Sequence, residues 1–439
     1  MNKSITIIFS FSLSISAFFI SCNITKTSPQ NNFGPKTKEL VQIVASNPNI
    51  KSLLIEAIHK AHEINPDTAT NPVQNLDDFY KFISWAETAM PWDLIHHTEH
   101  ATLYNRMDQS LAYLFFITDI PLSELEGKGY YNNSLQYEEP FCSWLTSFDK
   151  GWGSFLDSKE SWNSKYYQLA LTEDKFGLKN NWYEDSSKWK TFNQFFARRL
   201  KSPIKRPIAF PDDESVVVSP ADAMPQGTWT IDNNSNISDK GGVAVKSEKL
   251  HSIKALLGEE SKYKDSFANG IFTHTFLDVG DYHRYHFPIG GVVKEMRVIP
   301  ATNTSGGFVT WDAQKKKYLF DATGMGFQTI ETRGCIILET EKYGLVALMP
   351  IGMSPVSSVN FLVNIKEGTK IFKGDEMGYF LFGGSDFILI FQKRSGFVLD
   401  SPKEEGRESY KHVLMGERYG KFFNSANNKP AINTHGLSN

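Results

Sequence analysis

The sequence is poor in cysteine, with three in 439 residues. That is too few for a disulfide framework or a four-cysteine zinc site. It also lacks a charge excess: 46 Lys and Arg stand against 49 Asp and Glu. Proteins that live on nucleic acid usually carry a basic surplus, so nucleic acid is excluded as a partner. There is no GxxxxGK[ST] loop, no dinucleotide-type glycine loop and no evident internal repeat, which removes the common nucleotide-binding and solenoid classes. Beyond the first 22 residues no run is long and apolar enough to cross a bilayer. What remains is ordinary globular material, 41% hydrophobic and 22% charged, long enough for two or three domains.

The N-terminus reads as a targeting segment. Met1-Asn2-Lys3 is followed by an apolar and small run from Ser4 to Ser21 that stops at Cys22. One positive charge, a short apolar stretch and a small residue before a cysteine match an exported precursor. Phe19-Ile20-Ser21-Cys22 resembles a bacterial lipoprotein cleavage box, with Phe19 in place of the usual Leu. The expectation is an exported, membrane-associated protein anchored by lipid at Cys22, with residues 1–22 as the signal segment and 23–36, rich in Asn, Thr, Ser and Pro, as a flexible tether. An uncleaved membrane anchor is the alternative. Cys142 and Cys335 then remain, free either to pair or to stay as thiols.

The rest divides by pattern into an α+β protein. Residues 37–190 read as a helical domain: Leu40, Val41, Ile43 and Val44, then Leu53, Leu54, Ala57 and Ile58, recur at helical spacing. Asp77-Asp78 before Phe79, Phe82 and Ile83 is an acidic helix start ahead of an apolar face. Trp144, Trp152, Trp162, Trp182 and Trp189 read as packing residues. From about 207 short β-branched and aromatic runs alternate with Gly, Pro, Asn and Asp, and residues 191–423 are expected to form a β-rich domain. The runs are Val216–Val218, Val243–Val245, Ile271–Val279, Val292–Ile299, Ile336–Glu339, Leu345–Met349, Val359–Val363, Tyr379–Phe382 and Phe387–Phe391. Segments 232–242 and 301–316 read as loops, and 424–439 as a disordered tail.

Four clusters could carry chemistry. His96-His97-Thr98-Glu99-His100 has the H-x-x-E-H spacing that would put His96 and His100 on one helix face as zinc ligands, with Glu99 as base. No local residue nominates a third ligand, and exposed or partly buried histidines are the plainer reading. Asp222, in Ser219-Pro220-Ala221-Asp222 after a short apolar strand, could orient a histidine; a solvent-facing turn Asp is the default. His283 and His286 sit three apart among aromatics in Asp281-Tyr282-His283-Arg284-Tyr285-His286, a setting that shifts protonation and suits acid–base work. Gly383-Gly384-Ser385 interrupts what would otherwise be one long apolar strand. Glycine there marks a bulge or close backbone approach, and a serine hydroxyl at such a break could attack the Gly384 carbonyl. An ordinary tight turn is the alternative.

Together these segments resemble the phosphatidylserine decarboxylase family. They occur in the family's order: Asp222 in its Ser-Pro-Ala-Asp turn, Asp-Tyr-His-Arg-x-His at 281–286, Lys-Gly-Asp-Glu-x-Gly-Tyr-Phe at 373–380 and Gly-Gly-Ser at 383–385. Phe192-Asn193-Gln194-Phe195-Phe196-Ala197-Arg198-Arg199, with Arg206-Pro207, is similar to the segment that opens the family's catalytic domain. Ser187–Phe192 and the helical region resemble a longer subgroup that includes tryptophan-decarboxylase-like members. Asp386 stands where many members carry Thr, Ala223 where Gly is usual, and Pro350–Met353 where a Val-Gly-Ala segment is common.

The resemblance implies a carboxy-lyase that cleaves itself between Gly384 and Ser385, turns Ser385 into a covalent pyruvoyl cofactor, and needs no metal. The fragments ending at 384 and starting at 385 would stay together as a heterodimer. It further implies His286 as the base for Ser385, Asp222 as its orienting partner and His283 as the acid that protonates carbon after CO2 leaves. The expected substrate is phosphatidylserine at a membrane surface, giving phosphatidylethanolamine. A free aromatic amino acid such as tryptophan is the alternative, followed by an exported zinc hydrolase using His96 and His100, or a non-catalytic binding relative.

Overall fold

The computed structural model describes residues 32–91, 103, 107–128, 133–237, 251–300, 308–321, 327–353 and 357–423. Cys22 and its leader, the His96–His100 cluster, Val243–Val245 and the tail 424–439 lie outside them. Among the described residues no helix is long and apolar enough to cross a membrane.

The helical part begins with α1 (Pro35–Ser46), α2 (Pro48–Ile64), α3 (Leu76–Ala86), α4 (Met107–Asp119), α5 (Phe141–Leu156), α6 (Ser164–Thr172) and the short α7 (Phe192–Phe196). Their starts have local causes. Asn47, Asn75, Asn163 and Thr191 each accept a hydrogen bond from a first-turn N–H with their side chains, and Pro48 occupies a first-turn position of α2 whose N–H needs no partner. Leu40, Val44, Leu53, Leu54, Ala57, Ile58, Phe79, Phe82 and Ile83 are all buried in one core, as their spacing predicts.

The strands follow in chain order: β1 (Val216–Val218), β2 (Met224–Thr230), β3 (Ile271–Leu277), β4 (Arg284–His286), β5 (Gly291–Ile299), β6 (Phe308–Asp312), β7 (Lys317–Asp321), β8 (Thr332–Glu339), β9 (Leu345–Gly352), β10 (Asn360–Phe361), β11 (Lys370–Ile371), β12 (Glu376–Tyr379), β13 (Ser385–Phe391), β14 (Val398–Leu399) and β15 (Arg418–Lys421). Seven form the main antiparallel sheet, in the order β11-β5-β8-β9-β13-β3-β2. Separate small sheets are β10-β12-β4 and β1-β15-β14. The α+β expectation holds.

Strand β13 is central, bonded to β9 on one side and β3 on the other, and every residue in it is buried. Its side chains alternate between two cores. Phe387, Leu389 and Phe391 enter one, while Ile388 and Ile390 enter the other. A strand covered on both faces reads as a continuous apolar run, which is how Phe387–Phe391 appears in the sequence.

The loop expected over 301–316 is corrected. Residues 308–312 and 317–321 pair as a hairpin, in register from Phe308 opposite Asp321 to Asp312 opposite Lys317. Three consecutive lysines, Lys315–Lys317, make the turn look like a solvated loop, yet Val309 and Tyr318 on the flanking strands are buried in the helical core. The Tyr318 hydroxyl donates to the Thr70 carbonyl (2.9 Å) and accepts from Asn65 Nδ2 (2.8 Å). The helical part is therefore closed by a hairpin from the β-rich part. Tyr318→Phe leaves two buried polar groups short of a partner, and urea unfolding should report a loss of about 1–3 kcal/mol.

Candidate active site

The chain changes sheets between β12 and β13. Strand β12 pairs with β4, placing Glu376 opposite His286 and Tyr379 opposite Arg284. Ser385 then opens β13 in the main sheet, opposite Gly352 and Leu277. The five residues between cross the gap, and several of their polar backbone groups are held. Phe380 N–H donates to the His283 carbonyl (2.9 Å) and Leu381 N–H to Ser358 Oγ (2.8 Å). Phe382 N–H donates to Asn193 Oδ1 (3.1 Å), and the Gly384 carbonyl accepts from Met353 N–H (2.8 Å). The Phe382 ring packs edge-on against Trp152, Phe192 and Phe196, so α5 and α7 press on this crossing.

Both glycines have a reason. Gly383 has φ +150°, a conformation that disfavours side chains. At Gly384 a Cβ would lie 2.9 Å from Met353 Cβ, so no larger residue fits without displacing that chain. Ser385 is 1% exposed, and its Oγ donates to the Gly383 carbonyl at the long distance of 3.5 Å. The serine thus sits beside the bond it would cleave, and a backbone N–H already points at the carbonyl oxygen on which charge would develop.

His283 precedes β4 and is completely buried. Its ring stacks on Phe196 with centroids 3.8 Å apart. Nδ1 is 3.0 Å from the Asp281 carbonyl and so carries the proton. Nε2 has no partner among the described residues. Burial pushes the ring's pKa down to about 3, with the Arg198 guanidinium adding to the fall and the Asp281 bond opposing it. His286 ends β4. Its Nδ1 donates to the Gly374 carbonyl (2.8 Å), leaving Nε2 to accept from the Tyr282 hydroxyl (3.2 Å). Burial holds its pKa below the ordinary 6.5 despite opposing help from the Gly374 carbonyl, Glu376 and Asp222.

Asp222 is buried, not solvent-facing. Arg206 grips it through Nε (2.9 Å) and Nη2 (2.5 Å), and Met415 N–H donates to Oδ1 (2.8 Å). Its turn touches β4 through the backbone, since His286 N–H donates to the Pro220 carbonyl (2.7 Å). Fold and backbone therefore bring Asp222 and His286 together, while no side-chain hydrogen bond joins them, and none joins either to Ser385. Asp222 acts on His286 through this backbone link and as a charge that opposes the fall of its pKa.

Asp386 points away from Ser385. The alternation along β13 sends its side chain to the opposite face, where His274 Nδ1 (2.9 Å), Gln328 Nε2 (3.2 Å) and Phe387 N–H (2.9 Å) satisfy it. In the basic stretch 198–206, Arg198 and Arg206 are buried, while Arg199 and Lys201 are exposed. Cys142 and Cys335 are unpaired. Among the described residues no group of three or more His, Cys, Asp or Glu could hold a metal.

Several positioning groups escape sequence reasoning: Asn193, Ser358, Met353, Tyr282 and His274. Asn193 lies in the segment that resembles the family's opening, and Met353 in the stretch that departs from it. Either could have been singled out, but what each touches is a tertiary fact.

An aspartate gripped by Arg206, two buried histidines and a serine preceded by two glycines thus follow one another along the chain at 222, 283, 286 and 385. A family model for phosphatidylserine decarboxylase matches residues 192–421, and the chain belongs to that family. It is 31% identical over 277 residues to phosphatidylserine decarboxylase proenzyme 2 of rice, covering 63% of this chain and 41% of the relative. It is 32% identical over 235 residues to the phosphatidylserine decarboxylase proenzyme of Geobacillus kaustophilus, covering 53% of this chain and 75% of the relative. With proenzyme 3 of Schizosaccharomyces pombe the identity is 30% over 234 residues, 53% of this chain and 22% of that much longer relative. The chain thus spans less than half the length of the rice and fission-yeast proteins.

Gly384→Ala should slow any chain cleavage at this site, because its Cβ would push Met353 away from the Gly384 carbonyl. Met353→Gly in the same chain removes the clash and should restore part of the rate, read as fragment appearance on a denaturing gel.

Proposed function

We propose that the chain is a self-processing, pyruvoyl-dependent decarboxylase acting on phosphatidylserine. The observation that carries this reading is the Gly384–Ser385 bond: it lies where the crossing between sheets meets β13, and its carbonyl oxygen already accepts an N–H. Ser385 Oγ attacks the Gly384 carbonyl carbon, and the Gly384–Ser385 C–N bond breaks as the nitrogen takes a proton. The resulting ester loses the Ser385 α-proton and expels the Gly384 carboxylate, leaving dehydroalanine at 385. Water then releases ammonia and leaves a pyruvoyl group capping the fragment that begins at 385.

A hydroxyl needs a base for this. His286 is neutral with its proton on Nδ1, so Nε2 can accept one. Ser385 Oγ must leave Gly383 and reach it directly or through a water, a tightening that resting active sites commonly await. Asp222 and Arg206 brace the turn against β4. The Met353 N–H stabilises the developing oxyanion.

The residues present fit a pyruvoyl group at 385: glycine-only space on one side, and a buried histidine, His283, with a bare Nε2, whose backbone carbonyl holds the Phe380 N–H of the crossing. When formed, the group supplies an electron sink for loss of CO2 from an α-amino carboxylate. His283 holds or moves the proton destined for the carbon that bore the carboxylate. The relatives' names support phosphatidylserine as substrate. A free amino acid satisfies the same chemistry, but the comparisons offer it no support. Export, lipidation at Cys22 and a membrane location belong to this proposal, since they would hold the enzyme where a phospholipid is concentrated; so do the domain limits 37–190 and 191–423 and a heterodimer of the two fragments.

Ser385→Ala should remain one chain by intact-mass measurement, while the parent yields a fragment 385–439 blocked by pyruvoyl. A mature active enzyme that stays uncleaved refutes the reading. His286→Ala should also remain uncleaved. Because the His286 pKa is depressed, cleavage of the parent should persist at pH 6.5 and fall only under more acidic conditions. His283→Ala should cleave yet release little CO2 from labelled phosphatidylserine in detergent. Turnover of free amino acids with none on the lipid would reverse the substrate assignment and leave the processing chemistry standing.

A further inference from the structure

Arg198 follows α7 and is wholly buried, an unusual place for a guanidinium. Among the described residues no carboxylate pairs with it. Its Nη2 donates to the carbonyls of Gly280 (2.7 Å), Asp281 (2.9 Å) and Phe176 (3.3 Å). Its guanidinium carbon lies 4.5 Å from the Tyr183 ring centroid and 5.4 Å from that of Phe195. A cation held by carbonyls and ring faces keeps its full charge in a poorly solvated place, and that field acts on whatever titrates beside it.

What titrates beside it is His283. The two share one acceptor, because the Asp281 carbonyl receives both Arg198 Nη2 and His283 Nδ1. Phe196 touches both: its ring stacks on His283, and its carbonyl accepts from Arg198 Nη1 (3.4 Å). Other charges nearby are already engaged. The Asp281 carboxylate binds His412 Nε2 (2.8 Å) and Asp278 N–H (2.7 Å), and Arg284 pairs with Glu376. Arg198 is therefore the charge that faces the ring.

We propose that Arg198 is a positioning residue for His283: it fixes the shared carbonyl that holds the Nδ1 proton and keeps the ring neutral, so that Nε2 offers a bare lone pair in the resting enzyme. This deepens the decarboxylase reading, on which its catalytic consequence rests. A neutral His283 cannot begin as a proton donor. Joining the substrate's ammonium group to a carbonyl with loss of water releases one proton in all; Nε2 takes that proton within the complex, and the same proton then moves from Nε2 to the carbon from which CO2 has left. No outside donor is required, and the ring returns to its starting state.

The first test needs no substrate. In the uncleaved Ser385→Ala chain, 15N-histidine NMR at pH 5.5 should show His283 neutral with its proton on Nδ1; a protonated ring, or a proton on Nε2, overturns the proposal whatever the enzyme decarboxylates. The second uses the cleaved enzyme. Arg198→Gln keeps amide donors for the carbonyls but removes the charge, and should move the acid limb of kcat/KM upward by about 1 pH unit or more. Arg198→Lys keeps the charge and should leave that limb in place while lowering kcat through looser geometry. An Arg198→Gln enzyme that cleaves normally with an unmoved acid limb refutes the role. If Arg198→Gln does not fold, the ring's state in the Ser385→Ala chain decides alone. Absence of any decarboxylation in the parent, with His283 neutral as expected, would instead count against the decarboxylase reading.

Discussion

The arrangement around Ser385 depends on the chain leaving one sheet at Tyr379 and entering another at Ser385. The Gly384 carbonyl accepts an N–H from Met353, the residue after β9, which extends the β13–β9 register by one step into the crossing. The crossing is held along its length by groups from α7, from Ser358 and from the His283 backbone. The backbone on the N-terminal side of the Gly384–Ser385 bond is thus fixed by groups from distant segments.

The helical part contributes through packing. Trp152, Phe192 and Phe196 enclose Phe382, and Phe196 also carries the His283 ring. The same short helix therefore presses on the cleavage segment and on the histidine next to it. Its neighbours Ala197 and Arg198 extend this, the first accepting from Arg284 Nε and the second bonding the Gly280 and Asp281 carbonyls. After cleavage Ser385 and Met415 would belong to one fragment and Asp222, His283 and His286 to the other. The bond from Met415 N–H to Asp222 and the continuous pairing of β13 with β3 and β9 would keep the two together.

Electrostatics in the site follows from burial. Both histidines are driven toward the neutral form, each with Nδ1 on a carbonyl, so the two rings have the same tautomer and differ in what Nε2 meets. His286 meets a tyrosine hydroxyl, His283 nothing among the described residues. That difference distinguishes a ring engaged with its surroundings from one left open to an incoming group. Asp222, gripped by Arg206, serves as an anchor of fold and charge and makes no direct bond to a histidine.

Much of this protein was legible in the chain itself. Apolar spacing and polar caps determine the helices, since those are local effects of periodicity and of backbone donors near a short polar side chain. The continuous apolar run 387–391 announces a strand buried on both faces, and Gly383-Gly384 announces a break before it. The ordered motifs at 222, 281–286 and 383–385 identify the family. Other features depended on contacts between distant segments. The hairpin at 308–321 hides behind a lysine-rich turn because its reason to form is burial against Thr70 and Asn65, more than 240 residues away. The burial of Arg198 and Arg206, which the sequence presents as a charged surface run, depends on carbonyls at 280 and 281 and a carboxylate at 222. The face Asp386 occupies was decided by the register of β13, and the partner of the Gly384 carbonyl by where β9 ends. Periodicity and capping act within a few residues and can be read along a chain; a hydrogen bond across a sheet boundary exists only once both segments have been brought together.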